Sequence, residues 1–182
     1  MKPLVQEGYA TIQDIYDLPE GQRAELIDGR LFMMSPPKRI HQNIVGELFW
    51  EIKKYIQEKE LTCEAYVAPF GVWLFEDDSA FVEPDISVIC DDSKLDDDGC
   101  KGAPDLVIEI LSPSTKYHDC VRKPKLYADA GVREYWIVDP EKRWVRKYFF
   151  GSEYRDGQYS FDEDISMDIY NDFSINLSRM GF

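Results

Sequence analysis

The sequence predicts a single α/β domain built on a mixed α+β sheet, and three observations predict it. A strand–helix–strand run from Asp105 to Val138 has the order of a βαβ unit, whose two strands lie parallel and central in a sheet. From about His41 to Glu58 the apolar residues Ile44, Val45, Leu48, Phe49, Ile52, Tyr55 and Ile56 recur at helical spacing, the mark of a helix with one buried face. Asp28-Gly29 stands between two apolar runs, a strong two-residue hairpin signal. A chain of 182 residues suits one domain, 1–182, with one sizeable core.

Each element follows from local chemistry. Thr11 to Leu18 reads as a short helix, with Thr11 as N-cap and Asp14 three residues on. Ala24–Ile27 and Arg30–Met34 are the arms of the first hairpin, which Ser35-Pro36-Pro37 ends. After the long helix come alternating, extended runs at Glu64–Val67, Gly71–Phe75 and Asp85–Cys90. The acidic, turn-rich stretch Asp91–Gly99 reads as a surface loop. Asp105–Leu111 is a nearly continuous apolar strand interrupted by one Glu, and the helix after it ends at Ala130-Gly131, where Gly supplies a left-handed C-terminal residue. Glu134–Val138 is another apolar strand, stopped by Asp139-Pro140, and Arg143–Phe150 a further one. The tail is expected to turn at Asp156-Gly157. No repeat, linker or low-complexity segment interrupts the chain.

Composition narrows the function classes. No stretch approaches the roughly 18 consecutive apolar residues of a membrane span, and Met1 to Ala10 holds no apolar signal core. Cys63, Cys90, Cys100 and Cys120 form no CxxC pair, and only His41 and His118 could join them, so a structural zinc site is not expected. Reduced thiols in a cytoplasmic protein are the simpler reading. The 21 basic residues against 35 acidic ones leave a net charge of −14. That argues against a surface that grips DNA everywhere, while a local basic patch can still steer a polyanion.

Glu109 is the odd residue in its strand. Side chains alternate, so Asp105, Val107, Glu109 and Leu111 share one face and Leu106, Ile108 and Ile110 the other. A carboxylate there is costly unless paired, protonated or metal-bound, and a structural ion pair with Arg or Lys explains it as well as a metal does. Glu83-Pro84-Asp85 opens another strand; Pro biases Glu83 toward an extended form and sets Asp85 at a defined place, although an Asp beside a Pro is usually a turn residue. The pair says more than either member. Hard Mg²⁺ is held by one or two carboxylates plus phosphate oxygens and water, and an Asp at one strand's start can meet a Glu within its neighbour.

Several segments then carry a resemblance. Glu83-Pro84-Asp85, the run from Ala103-Pro104-Asp105 through Glu109 to Ser112-Pro113-Ser114-Thr115, and Gly131-Val132-Arg133-Glu134-Tyr135-Trp136-Ile137-Val138-Asp139-Pro140 resemble the Uma-two family of restriction-endonuclease-like proteins in the PD-(D/E)xK nuclease superfamily. Glu25-Leu26-Ile27-Asp28-Gly29-Arg30-Leu31 and Ser35-Pro36-Pro37 fit its pattern too, and the matching segments run from about residue 10 to 150. The resemblance implies a restriction-endonuclease-like core, a central mixed sheet flanked by helices, with hairpins added at both ends. It implies a Mg²⁺-dependent endonuclease, with Mn²⁺ as a substitute, that hydrolyses phosphodiester bonds of DNA. Asp85 and Glu109 match the two metal ligands, and Glu25 matches an early glutamate that assists them. The superfamily's lysine two residues after the second acid is absent, since Leu111 stands there; Lys123 on the next helix matches its replacement. His41 and Gln42 match a polar pair that supports the site. A homodimer is the default for nucleases that cut both strands.

Other features have plainer readings. Lys123 precedes Pro124, which disfavours helix at Lys123, and Arg122 and Lys125 beside it suit a solvated basic face. Tyr135-Trp136 reads as core, Asp96–Asp98 as a solvated loop. Arg143, Arg146 and Lys147 are equally phosphate contacts or exposed strand residues. Two further functions stay open: an inactive nuclease-fold module acting in protein interaction or regulation, and a nucleic-acid binder that does not cleave.

Overall fold

A computed structural model describes residues 9–112 and 117–182. Most of the amino-terminal stretch read for a signal, and 113–116 of the family pattern, lie outside the described residues. The chain runs α1 (Ile12–Tyr16), β1 (Ala24–Ile27), β2 (Arg30–Met33), α2 (Arg39–Glu58), β3 (Glu64–Val67), β4 (Gly71–Trp73), β5 (Phe81–Val82) and β6 (Ile86–Ile89). A 3-10 turn (Asp92–Lys94), β7 (Gly99–Lys101), β8 (Leu106–Ile110), a π-helical turn (His118–Arg122) and α3 (Lys123–Ala130) follow. The last strands are β9 (Glu134–Asp139), β10 (Trp144–Phe149), β11 (Arg155–Ser160), β12 (Ile165–Ser166) and β13 (Ser174–Ile175).

The expected βαβ unit sits at the centre. A six-stranded sheet has the order β11-β10-β9-β8-β6-β3; β8 and β9 are parallel and the other neighbours antiparallel. One face takes α2, whose Ile44, Leu48, Ile52 and Ile56 pack with Leu106, Ile108 and Ile110 of β8. The carboxy-terminal segment completes that layer with Phe161, Ile165, Met167, Ile175 and Leu177. Burying each large aliphatic side chain contributes about 1.5–3 kcal/mol, so this layer is a main source of the fold's stability.

The opposite face carries α3 and a second sheet, which the sequence did not foretell. Its order is β2-β1-β5-β4-β7, and Val72, Val82, Ile27 and Phe32 from it meet Val107, Leu111, Tyr135 and Ile137. Strands of two or three residues, such as β4, β5 and β7, are too short to show alternation. The Asp28-Gly29 turn takes φ of 52° and 67°, the two positive values a type I′ hairpin needs. Gly131 caps α3 with φ of 93°.

Two expectations are corrected. Asp156 and Gly157 do not turn the tail; they lie within β11 opposite Tyr148 and Lys147, and the chain reverses at 150–154. Gly157 is small because the Tyr159 ring folds over it, where an added Cβ would come within 2.9 Å of the hydroxyl. The four thiols are not all reduced: Cys63 and Cys90 form a disulfide. They extend the antiparallel register Glu64↔Ile89 by one pair, which sets them face to face. Among the described residues no helix is long and apolar enough to cross a membrane.

Candidate active site

Glu109 and Asp85 meet where β6 leaves β8. The register Ile86↔Ile108 puts Asp85 beside Glu109, and the two residues clasp each other. Asp85 Oδ2 accepts the Ile110 N–H at 2.8 Å, and Glu109 Oε2 accepts the Asp85 N–H at 3.3 Å. Glu25 arrives from β1 in the second sheet, where its Oε1 accepts the Glu83 N–H at 3.3 Å. The Glu83-Pro84-Asp85 segment is therefore held at both ends by the residues around it.

Lys123 enters from the other side. Its Nζ lies 2.7 Å from Glu109 Oε1, 2.9 Å from Glu25 Oε1 and 3.2 Å from Asp119 Oδ1. The conflict with Pro124 is resolved by the π-helical turn. The Lys123 N–H donates to the His118 carbonyl five residues back, and Pro124, which has no N–H to give, falls in the first turn of α3. Lys123 itself takes φ −62° and ψ −34°. Such wide turns are frequent at functional sites. Here the turn brings Asp119 and Lys123 inward together, and the solvated basic face is left to Arg122 and Lys125.

Two members were not foreseen. Asp119 was not singled out from the sequence. Tyr127 shares the helical stripe of Lys123 and donates its hydroxyl to Glu109 Oε1 at 3.0 Å. A spacing of four between Asp119, Lys123 and Tyr127 was the available signal. His41, at the start of α2, places Nε2 3.0 Å from Asp85 Oδ2, whereas Gln42 is exposed. Tyr135 and Trp136 are fully buried core residues. Lys147 is buried on the opposite face of the sheet and bonds Ser166, away from this group. Arg143 and Arg146 pair with Asp162 and Asp156.

The electrostatics are lopsided. Among the described residues three carboxylates, of Glu25, Glu109 and Asp119, contact the Lys123 ammonium, and a fourth, of Asp85, adjoins Glu109 and pairs with His41. Burial pushes the Glu109 carboxyl well above the usual carboxylate range, against the pull of Lys123. For Lys123 burial works against the charge, but Glu109 and Glu25 outweigh it and hold the ammonium well above the ordinary lysine value. A buried excess of negative charge is relieved by a proton or by a cation.

A divalent ion fits this donor set. Asp85 Oδ1 engages none of the described donors, and Glu109 Oε2 accepts only the long bond from Asp85. Two hard oxygens thus keep acceptor capacity among the described residues. Among the described residues no three His, Cys, Asp or Glu side chains form a cage for a metal, so an ion here would take its other ligands from water and substrate, as Mg²⁺ commonly does.

Comparison with known proteins gives the family and the fold. The family model Uma2, described as "Putative restriction endonuclease", matches residues 12–178. The fold is similar to a crystal structure of a "putative nuclease belonging to DUF820 from Anabaena variabilis", with a TM-score of 0.73 and 21% identity over 92% of this chain and 95% of that one. No curated protein matches the sequence.

Proposed function

The chain belongs to the Uma2 family of putative restriction endonucleases, and from that premise we propose that it is a Mg²⁺-dependent endonuclease hydrolysing phosphodiester bonds of DNA. The observation that carries this reading is the clustering of carboxylates: Glu25, Glu109 and Asp119 share the Lys123 ammonium and Asp85 adjoins Glu109, with oxygens of Asp85 and Glu109 to spare among the described residues. Asp85 and Glu109 would hold Mg²⁺, or Mn²⁺ in its place. When bound, the ion would supply a lowered pKa for a water nucleophile and neutralise negative charge on the phosphoryl oxygens.

The protein's own groups do the positioning. His41 and the Ile110 N–H hold Asp85 through Oδ2 and so present Oδ1. The Tyr127 hydroxyl fixes Glu109 through Oε1. Glu25 steers the Lys123 ammonium, which stabilises negative charge on the phosphate oxygens. A homodimer, with two sites facing two strands, and a cytoplasmic setting belong to the same proposal.

One observation favours a second reading. Lys123 is 3% exposed and bonded to Glu109, the closed ion pair of a nuclease fold retired to protein interaction. Cleavage of duplex, single-stranded and branched DNA with Mg²⁺ or Mn²⁺ separates the two, with Asp85→Ala and Glu109→Ala as controls and calorimetry for the metal. Metal-dependent cutting lost in both variants is the expected result. A folded wild type that neither cuts nor binds metal would establish the retired module.

A further inference from the structure

We infer that Arg23 and Arg122 form a phosphate-binding pair at the rim of the site, seating nucleic-acid backbone beside the phosphate to be cut; this rests on the phosphodiesterase reading above. The face of the β1–β2 hairpin that bears Glu25 carries both contacts. Glu25 lies opposite Phe32, and the next pair on that face is Arg23 and Met34, joined by the Met34 N–H to the Arg23 carbonyl. Arg122 rests over the Phe32 ring at 5.5 Å, and an Arg23 terminal nitrogen lies 3.6 Å from Met34 Sδ. Phe32 and Met34 are two residues apart on one strand face, about 7 Å. The two guanidiniums therefore contact neighbouring side chains on one face of the hairpin that delivers Glu25 to Lys123.

Both keep donors to spare. Arg23 uses Nε on Glu83 at 2.6 Å, and a thioether is a weak acceptor, so its terminal nitrogens remain available. Its side chain is 38% exposed. Arg122 is half-buried and forms no ion pair among the described residues. A planar guanidinium matches two phosphate oxygens at once. In a chain of net charge −14 with an acidic site, a polyanion needs such an anchor to approach at all.

The test is binding of a short fluorescent DNA duplex in chelator, across a salt series, with cleavage measured in parallel. Arg122→Ala and Arg23→Ala should each bind roughly tenfold more weakly at low salt and flatten the log–log salt slope by about 0.9. The KM for cleavage should rise with them. Arg23→Ala leaves Glu83 buried without its cation, so Arg23→Ala with Glu83→Gln repeats the measurement without that charge. Lys54→Ala, an exposed cation on α2, should leave slope and cleavage unchanged. Wild-type slopes in the arginine variants of a protein that cuts DNA would overturn the pair and spare the nuclease reading. A wild type that neither binds nor cuts would overturn both.

Discussion

Glu109 in β8 and Glu134 in β9 are buried glutamates in neighbouring central strands, and their settings differ in one respect. Glu134 is matched donor for donor: its two oxygens accept the Trp136 indole N–H at 2.6 Å and the Ile169 N–H at 2.8 Å. Close by, Lys147 pairs with Asp168 at 2.9 Å, and Arg155 reaches the same carboxylate at 3.6 Å. Charges there balance, two against two, and the group ties the carboxy-terminal segment to the sheet. Around Glu109, among the described residues, Lys123 alone is shared by the carboxylates of Glu25, Glu109 and Asp119. A buried carboxylate alone therefore marks no site; a surplus of them over their cations does.

Removing the surplus should have the largest effect. Asp85→Ala and Glu109→Ala should each lower metal-dependent cleavage about a thousandfold or more, read as initial rates, whereas Glu134→Gln should cut DNA like wild type. Next come the two lysines. Lys123→Met and Lys147→Met each strip a cation from buried carboxylates and should cost about 3–5 kcal/mol in denaturant titrations. Mg²⁺ should restore part of the loss in Lys123→Met and none in Lys147→Met. Equal recovery in both would erase the distinction between the two clusters.

Glu134 itself gives the pH test. Burial pushes its carboxyl up to about 7 from an ordinary 4.5, against the Trp136 and Ile169 donors. The folded state then holds this proton more tightly than the unfolded one. Stability from it is full below pH 4.5 and lost as pH rises through about 7, roughly 3 kcal/mol in all. Comparing urea midpoints of wild type with Glu134→Gln across that range isolates this part, which the variant should lack. The smallest effect is Tyr127→Phe, which deletes one bond to Glu109 and should cost about 1 kcal/mol, with cleavage reduced but measurable.

Much of this was legible in the sequence, for physical reasons. The lone Glu in an apolar strand, the Asp-Gly turn and the capping Gly131 are local rules, and the structure keeps them. Family spacing named Glu25, Asp85, Glu109 and Lys123, which the structure brings together. Asp119 stands four residues before Lys123, but nothing in the sequence announced the π-helical turn that brings both inward. Nor could periodicity place β1 and β2 in a second sheet, since β1 joins the rest of that sheet through the distant two-residue strand β5, and such a pairing leaves no trace in neighbouring residues. The misread Asp156-Gly157 shows the converse: a turn dipeptide can serve an aromatic neighbour instead.

The clasp between Asp85 and Glu109 has one more consequence. Beyond the pair Ile86 and Ile108 the backbone ladder between β6 and β8 stops, and the two side chains supply the next rung, each carboxylate taking an amide of the opposite strand. The atoms proposed for chemistry are thus also the zipper pull of the central sheet. Mutations that empty the site also loosen the seam that shapes it, so selection for folding alone would preserve both carboxylates long after any catalytic use had ceased.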